Sequence, residues 1–163
     1  MDNPLTLAQR ALILATFLIG MGLAIAPLPA SVRFMRPDWV ALVLVYWCLA
    51  IPERIGIGSA WLLGLGLDVL YGSLLGEQAL AKTLLAFLAL RLTLRLRVFP
   101  RWQQAIAVGL LIGASDLVVF LVKAVRHVTV PVTSLMAPTI ANMIVWPLVF
   151  LALREVRRRA GIS

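Results

Sequence analysis

Long apolar runs alternate along the chain with short polar or proline-marked breaks. The runs predict six helices over about 11–28, 39–51, 57–75, 79–94, 104–122 and 135–153. The first ends at Pro27 and Pro29, because proline disrupts a continuing helix. Ala11 to Ala26 also resembles the apolar part of a signal peptide, with Ala24-Ile-Ala26 as its cleavage site. Pro27 directly after the cut and only Arg10 against Asp2 before the run favour a retained first span. The second helix opens after Asp38, whose carboxylate can accept free backbone N–H groups as an N-cap. At about 20 Å it is short for a hydrocarbon core of about 30 Å. It therefore extends through polar flanks, thins the bilayer, or is re-entrant.

The third run places Gly56, Ala60, Gly64, Asp68, Gly72 and Gly76 four residues apart. Each such step turns about 40° around a helix, so neighbours in the series share a face. Small residues at this spacing admit another helix, and an intramembrane Asp turns toward protein or water rather than lipid. This helix is read as the packing centre of the molecule, and its small-residue face as a helix-packing or partner face. The fifth run also carries an Asp after glycines (Gly109 and Gly113 before Asp116), but its register differs by one residue, so no internal repeat is assigned.

Of the 163 residues 62% are hydrophobic and 13% charged, too little polar surface for a soluble domain of this length. One all-α integral membrane domain with six transmembrane helices, spanning 1–163, is expected. The formal charge of +8 does not indicate nucleic acid, because the cations lie between and beyond the apolar runs. With both termini cytoplasmic, Arg10, Arg54, Arg91, Arg95, Arg97, Arg101, Arg154, Arg157, Arg158 and Arg159 lie inside. Arg33, Arg36, Lys82, Lys123 and Arg126 lie outside. Ten against five satisfies the positive-inside bias. Arg95, Arg97, Arg101, Arg154, Arg157, Arg158 and Arg159 are read as cytoplasmic basic anchors on anionic headgroups.

Depth along the helices puts Asp68, Lys82, Asp116, Thr139 and Asn142 in one layer of the outer half, a candidate polar cavity. Two readings stay open for them: hydrogen-bonded contacts that fix helix packing, or a site for a ligand, lipid or partner helix. Lys82 either pairs with Asp68 or reaches the outer headgroups. The lone Cys48 and lone His127 exclude an intramolecular disulfide and a multi-thiolate or histidine-based metal centre. Ser59 and Ser73 have no base to activate them, and no phosphate loop or paired catalytic carboxylates occur. No cofactor and no enzymatic activity are expected.

Arg36-Pro-Asp-Trp39, Tyr46-Trp47, Pro52-Glu-Arg-Ile-Gly56 and Gly64-Leu-Gly-Leu-Asp68-Val-Leu-Tyr-Gly72-Ser-Leu-Leu-Gly76 together resemble the rod shape-determining protein MreD family. The specific motif covers about residues 36–80; elsewhere only hydropathy, length and the basic C-terminus match. The resemblance implies a non-catalytic component of the bacterial inner membrane in the peptidoglycan elongation machinery. Its implied partners are the membrane span of MreC and, in the wider complex, MreB, RodA and a penicillin-binding transpeptidase. It also implies a fold similar to the substrate-binding subunits of energy-coupling-factor transporters, which bind small molecules near the outer side. Binding of a small solute or lipid is therefore the alternative to a scaffold.

Overall fold

Trp39-Val-Ala-Leu-Val-Leu-Val-Tyr-Trp-Cys-Leu-Ala50 has no polar face, and a helix that is apolar all round must be surrounded by protein or lipid. The computed structural model, which describes residues 6–27, 29, 31 and 33–162, surrounds it with protein. Its helices are α1 (Leu7–Ile25), α2 (Trp39–Ala50), α3 (Ile57–Tyr71), α4 (Glu77–Val98), α5 (Arg101–Val125) and α6 (Thr133–Arg159). A single 3-10 turn, Arg33–Met35, precedes α2. Every residue from Val40 to Leu49 is buried, and α2 touches α1, α4, α5 and α6. Its shortness is thereby explained: at about 18 Å it need not match the hydrocarbon thickness, because protein covers its sides.

α2, not α3, is the packing centre, which corrects the expectation from the glycine spacing. α3 packs chiefly on α4 and leaves Trp61, Leu62 and Val69 exposed. Small residues mark one close approach; they do not require neighbours on every side. α2 is instead gripped by larger groups. The Trp47 indole donates to Thr16 Oγ1 of α1 at 2.9 Å, and Tyr46 meets Trp47 and Phe150 edge-on at 5.4 and 5.6 Å.

Among the described residues, three helices are long and apolar enough to cross a membrane: α1, α5 and α6. α2 and α3 are shorter apolar helices. α4 is 22 residues long but carries Glu77, Lys82, Arg91, Arg95 and Arg97. The molecule is thus a helical membrane protein. Gln9 Nε2 of α1 donates to Ala160 O and Gly161 O at 3.1 and 3.2 Å, so the start of α1 and the end of α6 lie at one end of the bundle.

The helix ends shift from the expected positions for local reasons. α1 begins earlier because Thr6 and Gln9 form a capping box, and it ends at Ile25; Asp2 and the expected end at Leu28 lie outside the described residues. α3 stops at Tyr71 because Gly72 turns left-handed, φ 60°. α4 begins at Glu77, directly after Gly76 at φ 103°. Gly72 and Gly76 therefore shape a turn and do not extend the small-residue face.

Candidate functional site

That face is used within the chain. Ala60, Gly64, Leu67 and Asp68 are the buried residues of α3. A Cβ on Gly64 would stand 2.6 Å from Ala79 N and 2.7 Å from Gln78 O, so the backbones of α3 and α4 meet there. Gly56, by contrast, has open space around it. Asp68 caps the partner helix. Its carboxylate accepts from Ser73 Oγ, Gly76 N and Gln78 N at 2.8 Å each, and from Ala79 N at 3.3 Å. The free N–H groups of a helix start carry partial positive charge, which a carboxylate offsets.

Asp68→Asn should consequently be nearly as harmful as Asp68→Leu. The amide replaces one of two accepting oxygens with a donor that faces backbone donors, and each charged hydrogen bond contributes about 1.5–3 kcal/mol. Thermal unfolding in detergent measures both variants. A Asp68→Asn protein as stable as the parent would show that these bonds are dispensable.

The outer layer is built around Asp38, a residue the sequence marks only as a cap. Asp38 Oδ1 does cap α2, accepting from Ala41 N at 2.9 Å. Its Oδ2 pairs with Lys82 Nζ, and Lys82 is completely buried. Asn142 Oδ1 accepts from Asp38 N at 2.9 Å and ties α6 to the same point. Lys82 and Asn142 thus converge, on Asp38 rather than on Asp68. At the other end of α2, Arg97 donates to Leu49 O, with Nε at 2.8 Å. An anion at the N-terminus and a cation at the C-terminus both suit the helix dipole. Lys82 and Arg97 lie about 22 Å apart along α4, close to the length of α2, so one helix clamps both ends of another.

Beside this junction lies an outer cavity of about 260 Å³, lined among others by Arg36, Asp38, Tyr71, Gln78, Asp116 and Lys123. Asp116 is the one acid of the expected layer that faces it without a hydrogen bond or ion pair among the described residues. Asp68 and Thr139 do not line it. Thr139 bonds Leu135 O at 2.8 Å and packs on Gly113, where a Cβ would stand 2.9 Å from its Oγ1.

Glu77 is buried and lies 3.7 Å from Lys123 and 3.4 Å from Arg126, joining α4 to the end of α5. The five cations assigned to the outer end therefore share it with Asp38, Asp68, Glu77 and Asp116. Among the described residues, the ten inner arginines share theirs only with Glu53 and Glu155. Glu155 is taken by Arg158 and Arg159, at 2.9 and 2.7 Å. Arg157 donates to Ile162 O at 3.0 Å, and Arg95, Arg101 and Arg154 are exposed.

The sequence model of the family described as rod shape-determining protein MreD matches residues 6–156. The chain belongs to the MreD family. A rod shape-determining protein MreD of Haemophilus influenzae is 36% identical over 150 residues, covering 92% of this chain and 93% of the relative. No solved structure matches the chain. Membership of the MreD family gives the protein a role in determining rod shape, and its apolar helices make it a multi-pass membrane protein. The resemblance motif of this MreD-family chain coincides with α2, α3 and their junctions, including Asp38 and Asp68. Arg36, Tyr71 and Glu77 were not among the candidate site residues of the sequence. For Glu77 a signal existed: placed in the first turn of α4, it lies at the depth of Lys123 and Arg126.

Proposed function

We propose that the protein is a non-catalytic scaffold of the bacterial cell-elongation machinery, holding the membrane span of MreC and helping to organise peptidoglycan synthesis. MreB, RodA and a penicillin-binding transpeptidase belong to the wider complex. It resides in the inner membrane with both termini cytoplasmic, a reading supported by the excess of arginine at the end where α1 starts and α6 stops. The observation that carries the scaffold reading is the one-sided packing of α3. Its Ala60–Gly64–Asp68 side is closed by α4, while Gly58, Leu62 and Gly66 on another side are exposed, with Met21 of α1 beside Gly66. Gly58 has nothing within 4 Å of where a Cβ would stand. Glycine on an exposed helix face admits a partner helix in a bilayer.

Gly58→Leu should leave the protein folded and lower recovery of MreC in co-purification by about tenfold, the equivalent of 1.4 kcal/mol of lost packing. Unchanged recovery would place MreC on another helix.

The outer cavity favours a second reading, a small-solute or lipid-binding subunit similar to those of energy-coupling-factor transporters. It predicts a molecule that co-purifies with the protein and is lost on Asp116→Leu. A cavity that stays empty in the purified complex removes this reading.

A further inference from the structure

We infer that the inner end of the bundle holds one specific site for the phosphate of an anionic lipid, made by Arg97, Arg154 and Arg157. These three arginines line a single cavity of about 500 Å³ between α2, α4, α5 and α6, and among the described residues no carboxylate lines it. Arginine keeps its charge in any protein environment, so the cavity carries three fixed positive charges. Its existing bonds do not neutralise them. Arg97 uses Nε and Nη2 on the carbonyls of Leu49 and Ala50, and Arg157 uses Nε on Ile162 O and also bonds the Tyr46 hydroxyl. Arg154 makes no hydrogen bond or ion pair among the described residues. The nearest acid in sequence, Glu155, is held by Arg158 and Arg159.

The walls are fixed in place. Gln104 donates to Leu96 O at 3.0 Å and accepts from the Trp146 indole at 3.3 Å, while Tyr46 is held edge-on by Trp47 and Phe150. Bidentate guanidinium donors suit phosphate oxygens. A zwitterionic headgroup would bring an ammonium group with no acceptor of opposite charge, so the site selects a net anion. The apolar remainder of the wall, Leu49, Ala50 and Phe150, favours a lipid over free phosphate. Basic pockets between membrane helices at the cytoplasmic side suit such headgroups. The site goes beyond the scaffold reading and does not depend on it.

The test compares the full chain with Arg154→Gln/Arg157→Gln and with Arg158→Gln/Arg159→Gln, which removes equal charge outside the cavity. Each is purified from vesicles of phosphatidylglycerol mixed with phosphatidylethanolamine, and retained lipid is read by native mass spectrometry. The parent and the Arg158/Arg159 variant should retain one phosphatidylglycerol. The Arg154/Arg157 variant should retain about tenfold less, and Arg154→Lys/Arg157→Lys should recover part of it. Equal loss in both glutamine variants would reduce the effect to diffuse surface charge and overturn the site. Retained phosphatidylethanolamine in place of phosphatidylglycerol would overturn its selectivity. Release of the lipid by inorganic phosphate at equal concentration would make free phosphate the ligand and overturn the lipid assignment.

Discussion

Asp38→Ala should lower the stability of the purified protein by about 3–5 kcal/mol, the usual cost of removing one partner of a buried ion pair. Lys82 is completely buried and has Asp38 as its only ion-pair partner among the described residues. The substitution also removes the α2 cap, which contributes about 1 kcal/mol. Reversible unfolding in mild detergent measures the loss. Lys82→Met should destabilise less, because it leaves Asp38 partly exposed and able to reach water. The double variant Asp38→Ala/Lys82→Met should recover much of what Asp38→Ala loses, since no buried charge is then left alone. A loss in the double variant equal to the sum of the two single losses would show that the groups do not act as a pair.

Gly64→Leu should prevent α3 from docking, and Gly64→Ala should already destabilise by about 1–3 kcal/mol, the range for overpacking. The atoms that a Cβ meets are backbone atoms of Gln78 and Ala79, which cannot turn aside as a side chain would. Gly58→Ala, on the open side of the same helix, should change stability by less than about 0.5 kcal/mol. Unfolding midpoints of the three variants decide the matter, and a Gly64→Ala protein as stable as Gly58→Ala would contradict the close α3–α4 approach.

Much of this was legible before the structure. The breaks at Pro27, Pro52 and Gly76 separate the helices, and Asp38 is recognisable as a cap. The spacing of Gly64 and Asp68 points to a close helix contact. What could not be read was rotation. Depth follows from counting residues, but which way Asp68 and Lys82 face depends on packing partners far away in sequence. Asp68 turns into its own α3–α4 turn, Lys82 turns to Asp38 on α2, and Thr139 faces α5. The glycine-rich run drew attention to α3 as the centre, whereas α2 holds that place through bulk: Trp47, Leu42 and Leu44 are among its fully buried side chains. A uniformly apolar helix looks alike in sequence whether lipid or protein surrounds it.

Membrane-dissolved carbene photolabelling of the protein in its bilayer, read residue by residue by mass spectrometry, separates those two surroundings. With α2 sheathed by protein, Leu62 and Val69 of α3 and Ile144 and Leu148 of α6 should be labelled, and Leu42 to Leu49 of α2 should not. Labelling of α2 at the level of α3 would contradict its place at the centre of the fold.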